Sequence, residues 1–482
     1  METLSEKLRN LETDGAYPFH MPGHKRQLDG AYRYDITEIE GFDNLNSPRG
    51  IIAEMNKSIA DHYYSEVSFF TVNGSTCGNL SAISAVADMG DTILIARNCH
   101  KSVINAVILR KLNVEYINPK MYNDSLIGFV SVSSVMQAVT SLESRGTKPK
   151  AVVITSPTYE GVVSDVKGIS EFLHSKDIPL IVDSAHGAHF HFDSAFPEDS
   201  LRDIDICIMS AHKTLPVLNQ GAIIHVNSDL VDPENVMRYI SMYQTSSPSY
   251  VIIESMSRAL ELIDEKNPFP EYVANLRRFY EKTADLRTLS VEPISSDRDM
   301  GKIVIYTNNY LTGDELGRTL REDYRFELEM YGRDYVLAMT SCMDTAEALD
   351  GLAEALVTID KGIDISAKCD AEPGQIIDTS TKGDADLRQR IDYLRHHEKR
   401  MEPFEAVKNT VSMPVEETIG KIAGEVVTAY PPGIPVIIPG EIIDESDVDY
   451  MKETPCYTVL WAKAQQEKTQ FSKSYSATRN WA

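Results

Sequence analysis

The chain has 482 residues, 42% of them hydrophobic and 25% charged, and a formal net charge of −25. That length calls for two or three domains with a sizeable core. The acidity argues against a nucleic-acid partner, which needs Lys and Arg clustered against phosphate, and fits a soluble protein that could draw in a small cation.

Six cysteines (Cys77, Cys99, Cys207, Cys342, Cys369 and Cys456) are scattered without a CxxC pair, the usage of a reducing compartment. The opening METLSEKLRN is charged and lacks the apolar core of a signal peptide. No uninterrupted apolar run reaches the roughly 20 residues of a membrane span, and PPGIPVIIPG is cut by prolines. The expectation is a cytoplasmic protein with no membrane partner.

In chain order, residues 1–65 read as an N-terminal arm. From 66 to 290 the runs EVSFFTV, TILIA, VEYIN, AVVITS, IPLIVD, DICIMS and GAIIHV alternate with helical patterns. Their nearly continuous Val and Ile content marks strands covered on both faces. The prediction is a doubly wound α/β domain with a mostly parallel sheet, closed by one long amphipathic helix over about 255–290. A smaller α+β unit follows over 291–367, built from GKIVIYT, GDELGRTLREDY, DYVLAMTS and TAEALDGLAEALVTI. The polar stretch 368–384 is the linker candidate, and 385–482 forms a third segment with a polar tail.

Ligands of open α/β sheets bind beyond the carboxyl ends of the strands. NGSTCGN places Ser75 and Thr76 at a helix start, an anion site or merely an N-cap. IPLIVD ends on Asp183, and DICIMS runs into Ser210, His212 and Lys213. Singly, Asp183 reads as a cap and Lys213 as a surface lysine. Together they form a phosphate cradle, an acid and a lysine at three strand ends, the set that pyridoxal 5'-phosphate asks for. A metal reading of Asp183, His186, His189 and His191 is set aside, because H-x-x-H-x-H matches no strong ligand spacing.

The motifs FHMPGHK, NGSTCGN, RNCHKS, PTYEG, DSAHGAHF, SAHKT and YPPGIPVIIPGE occur in one order along nearly the whole chain. In this the sequence resembles the ornithine/lysine/arginine decarboxylases. It is most similar to the short biosynthetic members that lack the N-terminal wing of the acid-induced enzymes. The resemblance implies a fold-type-I, aspartate aminotransferase-like large domain, a small α+β domain and a C-terminal α+β domain, with pyridoxal 5'-phosphate as cofactor and a homodimer as the smallest assembly. By the same resemblance Lys213 is the Schiff-base lysine, and Ser75, Thr76, Ser210 and His212 lie at the phosphate. His100 stacks on the ring, Asp183 meets its nitrogen with His186 beside it, and Thr158 approaches its phenolic oxygen. His212, Lys213 and His100 are the candidate proton donors.

Two departures stand out: Ser184 where relatives often carry Glu, and Cys77–Gly78 where they carry a hydroxyl and a small residue. A basic substrate side chain needs acidic partners, for which Asp43, Glu327 and Glu329 are candidates, each of them also readable as a solvated acid. The implied reaction is decarboxylation of arginine, ahead of lysine and ornithine, in polyamine biosynthesis. The rival readings are another fold-type-I lyase, aldolase or aminotransferase, and a catalytically silent relative.

Overall fold

All seven predicted runs enter one sheet: β1 (Val67–Thr71), β2 (Thr92–Ala96), β3 (Asn113–Ile117), β4 (Val152–Thr155), β5 (Leu180–Asp183), β6 (Ile206–Met209) and β7 (Ala222–Val226), in the spatial order β1-β7-β6-β5-β4-β2-β3. Only β7 runs against the rest. The computed structural model describes residues 2–13, 16–123, 125–198, 200–363, 397–428, 433–453 and 461–465. The expected linker and most of the polar tail lie outside the described residues. Two compact units are present, one formed by Met1–Arg395 with Thr428–Pro435, the other by His396–Val427 with Val436–Ala482.

The interior strands β5, β6 and β7 are buried at every position, which explains their unbroken apolar runs, whereas the edge strands β1 and β3 are only partly buried. Helices α3 (Gly74–Val86), α4 (Lys101–Arg110), α5 (Val132–Ser144) and α6 (Val166–His174) follow β1 to β4 in turn, the one-turn α7 (Ala211–Thr214) follows β6, and α8 (Pro233–Tyr243) follows β7. Gly78 lets α3 lie close on the sheet: a Cβ there would stand 2.6 Å from Ile208 and 3.2 Å from Ile224. The winding direction reverses between β2 and β4, and at such a point the loops diverge and leave a crevice.

At the N-terminus, α1 (Leu4–Thr13) buries Leu4 and Leu8 and bonds through Ser5 to Glu254 and Ser257, with Thr3 just before it donating to Glu261, while α2 (Ile51–Tyr63) leads into β1. The single helix expected over 255–290 is two helices, α9 (Tyr250–Lys266) and α10 (Phe269–Lys282). Asn267 breaks it in the left-handed region (φ 37°), as a residue facing a proline is pushed out of the helical well and Pro268 has no N–H to continue the ladder.

The smaller antiparallel sheet orders β10 (Met330–Tyr331), β11 (Tyr335–Met339), β9 (Lys302–Tyr306) and β8 (Ser290–Val291), flanked by α11 (Gly313–Glu322) and α12 (Ala346–Gly362). Thr312 and Glu315 close a reciprocal cap at the start of α11. In the second unit, Thr410–Pro414 pairs antiparallel with Trp461–Gln465, and His397 is buried against Asp447 at 2.9 Å. Among the described residues no helix is long and apolar enough to cross a membrane.

Candidate active site

Five strand ends bring the predicted residues together. After β1, α3 opens at Gly74 with Asn73 making no side-chain cap; Gly74 N donates to Gln220 O at 2.7 Å, so the N–H groups of Ser75 and Thr76 are the ones a ligand could take. Ser75 Oγ lies 2.7 Å from Ser210 Oγ, which arrives at the end of β6. This pairing removes the reading of Ser75 as a simple N-cap. Thr76 is exposed beside it.

Asp183 ends β5, is 2% exposed, and accepts from Asn79 Nδ2 at 2.8 Å. Asn79 also donates to Ser102 Oγ at 2.9 Å, and Ser102 Oγ lies 2.8 Å from His100 Nδ1. His100 caps α4 by accepting from Ser102 N at 3.2 Å, which places its hydrogen on Nε2. Burial pushes His100 below the usual histidine range, and Lys213 adds to this while Asp183 opposes it. Asn79 therefore ties the acid at one strand end to the histidine at another.

Lys213 Nζ lies 2.9 Å from His186 Nε2. Burial pushes the Lys213 ammonium below its ordinary value, with Asp183 and Glu329 partly offsetting it. Burial, reinforced by Lys213 and Lys302, holds His186 well below the usual histidine range. A neutral His186 accepts at Nε2, so its hydrogen sits on Nδ1, a buried atom with no partner among the described residues. His212 Nδ1 donates to Gly221 O at 2.8 Å, and burial lowers that imidazole too. Buried Thr158 accepts from Val162 N at 3.2 Å through Oγ1.

The remaining candidates separate. Asp43 takes N–H groups from Asn44, Arg49, Gly50, Ile52 and Ala53 at the start of α2. Its carboxylate is held at the start of that helix, the structural alternative to its expected role as a substrate acid. Glu327 is surface-exposed and pairs with Arg321 at 3.6 Å, so it too is a solvated acid. Glu329 instead accepts from Tyr159 Oη. His189 stands 3.2 Å from Asp299, His191 packs on Tyr63 and Tyr64, and His186 meets Lys213; among the described residues no group of three ligands converges on a metal site.

Two participants, Asn79 and Lys302, escaped sequence reasoning. Asn79 lies one helical turn beyond Ser75, and a polar residue on that face was the available signal. Tyr159, which the sequence places at the end of the strand AVVITS, stands edge-on to His186 at 4.7 Å with its ring face 5.9 Å from Lys213 Nζ. Lys302 arrives from the small sheet, and no local pattern links GKIVIYT to the strand ends. An uncapped helix start flanked by two serines, a buried acid, and a lysine backed by a histidine with an unspent donor match what pyridoxal 5'-phosphate requires, so the residues fit that group.

The comparisons agree. The family model "Orn/Lys/Arg decarboxylase, major domain" matches residues 4–282, and "Orn/Lys/Arg decarboxylase, C-terminal domain" matches 387–456. The chain belongs to the Orn/Lys/Arg decarboxylase family. This places it among the pyridoxal-phosphate-dependent decarboxylases of basic amino acids. It is 31% identical to an arginine decarboxylase of Bacillus subtilis over 90% of this chain and 89% of that protein. It is 30% identical to an arginine decarboxylase of Halalkalibacterium halodurans, with the same coverage. The lysine decarboxylase LdcF of Francisella novicida superposes with a TM-score of 0.79 at 18% identity, covering 97% of this chain and 81% of that one. That likeness bears on the fold, which is the fold type I expected from the sequence.

Proposed function

We propose that this decarboxylase acts on L-arginine, releasing agmatine and CO2 as a step in polyamine biosynthesis. The observation carrying the choice of arginine is the match along nine-tenths of the chain to relatives named arginine decarboxylase. When bound, the cofactor supplies an electron sink conjugated with the substrate Cα. Ser75, Ser210 and the first turn of α3 would hold its phosphate, Asp183 its ring nitrogen, His100 its ring face and Lys213 its aldehyde carbon, with Thr158 at the phenolic oxygen and Thr76 and His212 at the rim.

Asp183, buried and held by Asn79, would stabilise a proton on the cofactor's ring nitrogen. Lys213 is made less basic by burial, which eases its deprotonation relative to an exposed lysine. His186 takes a hydrogen bond from it in the neutral state and turns the amine toward the crevice. For the proton added at Cα we favour Lys213, because His212 Nδ1 is already spent on Gly221 O. Glu329, oriented by Tyr159, is the acid proposed for the cationic end of the substrate.

We place the enzyme in the cytoplasm as a homodimer. Phe19 of FHMPGHK is 91% exposed, an apolar side chain that a second copy would cover. The deciding experiment is a CO2-release screen across arginine, lysine and ornithine with product identification. Agmatine as the main product supports the reading; cadaverine or putrescine replaces the substrate, and a cofactor-loaded protein releasing no CO2 overturns decarboxylation. Borohydride reduction and peptide mapping should leave the pyridoxyl label on Lys213.

A further inference from the structure

The motif YPPGIPVIIPGE has no part in the site so far. Its Gly433 and Pro435 nevertheless belong to the compact unit that holds the large sheet, while the chain on either side of residues 428–435 belongs to the other unit. Within the first unit the two residues meet the short connection between β2 and α4, which carries His100. Gly433, buried and at φ +80°, accepts from Lys101 N at 3.1 Å through its carbonyl. Pro435 O accepts from Arg97 Nη1 at 2.6 Å, across 338 residues of sequence.

Arg97 is 2% exposed. A guanidinium is costly to bury unless its N–H groups and its charge are met. One N–H goes to Pro435 O, and the cation stands 5.9 Å from the ring centroid of Tyr116 on β3. The Arg97 backbone N donates to Ile117 O, the end of the same strand, at 2.9 Å. Lys101 N is the first N–H of α4 and has no acceptor within its own helix, so Gly433 supplies one.

His100 sits between these two anchors. Its ring is turned by Ser102, whose N donates to Nδ1 at 3.2 Å and whose Oγ lies 2.8 Å away, and Asn79 carries that contact on to Asp183. Those bonds set how the ring is rotated. Where its backbone stands is set on either side, at Arg97 and Lys101, and both of those residues are tied to residues 433–435.

We infer that residues 433–435 are a strap for the cofactor's ring partner, and that Arg97 is its positioning residue: by holding Pro435 O, it fixes where His100 stands in the crevice. The inference rests on the reading of His100 as the group at the ring face and is independent of which amino acid is the substrate. It gives the proline-rich motif a part in the site without any of its side chains touching the cofactor.

The test is a double-mutant cycle on full-length protein loaded with pyridoxal 5'-phosphate. The readouts are cofactor retention in equilibrium dialysis and the visible circular dichroism of the bound cofactor. His100→Ala should weaken retention about fivefold and change the visible band, as expected for the loss of one ring contact. Arg97→Met should shift both readouts in the same sense and by no more than His100→Ala. Beside His100→Ala it should add less than about twofold, because a residue acting through the histidine then has nothing left to position. An Arg97→Met variant with wild-type readouts, or one whose effect is undiminished beside His100→Ala, overturns the inference and leaves the role of His100 standing. A His100→Ala variant with wild-type readouts overturns that role and the inference with it. Should Arg97→Met fail to fold, Gly433→Ala, strained at its positive φ, enters the same cycle under the same criteria.

Discussion

Replacing Asp43 by Asn separates helix capping from substrate recognition. Asp43 sits at φ 64°, where Asn and Asp are tolerated better than Ala. Its Oδ2 accepts from Gly50 N at 2.7 Å, Ile52 N at 3.1 Å and Ala53 N at 3.4 Å, and its Oδ1 accepts from Asn44 N at 2.9 Å. Burial pushes this carboxyl upward, yet the N–H groups of Arg49, Gly50, Asn44 and Ala53 together hold it below the ordinary carboxylate value. An amide oxygen in the Oδ2 position keeps Gly50, Ile52, Ala53 and one of the two Arg49 contacts and loses Asn44, so Asp43→Asn should cost about 1 kcal/mol. Asp43→Ala loses the cap, about 1–2 kcal/mol, and adds about 1 kcal/mol of left-handed strain. At about 2–4 °C or less per kcal/mol for a large domain, thermal denaturation should show a small step for Asn and a clear one for Ala. In steady-state kinetics the Asn variant should keep KM within about twofold. If Asp43 instead held the substrate's cation, removing its charge would cost about 1.5–3 kcal/mol of binding and raise KM at least tenfold. A tenfold rise in KM with an unchanged melting temperature refutes the capping reading.

Asp360 offers a pH test. Burial pushes its carboxyl up, but the Thr288 hydroxyl and the N–H groups of Leu289, Thr288 and Arg287 outweigh that and depress it to about 2. A depressed carboxyl contributes stability above its ordinary value and loses it as pH falls through the depressed one. Asp360→Asn should therefore cost about 2 kcal/mol at neutral pH and nothing near pH 2, read as denaturant midpoints that converge on acidification. Asn79→Leu should keep the fold but weaken cofactor retention about tenfold, measured by equilibrium dialysis; equal retention would mean that Asp183 does not depend on Asn79. His397→Leu takes the histidine partner from buried Asp447 and should destabilise the protein by about 3 kcal/mol, seen as an earlier denaturation midpoint. Gly161→Ala, in the loop after β4, has neither room for its Cβ, which would stand 2.9 Å from both Lys302 Cγ and Asp299 Cβ, nor a favourable φ (+92°), and should cost at least about 2 kcal/mol; a variant as stable as wild type would show that the loop is free to move.

What was legible in the sequence was what lies close together in it. The seven strands could be read because sheets covered on both faces need continuous apolar runs, and their ends carried Ser75, His100, Thr158, Asp183, Ser210 and Lys213 within a few residues of each boundary. The break at Asn267–Pro268 was also written in the sequence, but the apolar periodicity continues across it with only a small change of phase. The capping contacts of Asp43 were not legible, because a carboxylate that caps a helix from seven residues upstream of Gly50 looks like any other loop acid. Lys302 was illegible: its strand reads as an ordinary buried run, and its burial against Asp299 and Gly161 depends on how the small sheet docks onto the loop after β4.

The site's electrostatics follow from this division. The large sheet supplies the groups that bind, all at strand ends, and burial alone would lower the basicity of Lys213, His186, His100 and His212 together. An amine is intrinsically a stronger base than an imidazole by about four pKa units, and the acids widen that gap: the charge of Asp183 acts on His100 and Lys213, that of Glu329 on Lys213 and Lys302, and neither is a leading influence on His186. Lys213 thus stays the more basic member of the pair with His186, the order needed if the lysine is to carry the proton and the histidine only to orient it. Tyr159 secures that order geometrically, with its face toward Lys213, its edge-on packing against His186 and its hydroxyl on Glu329. One side chain thereby fixes the spacing among acid, lysine and histidine.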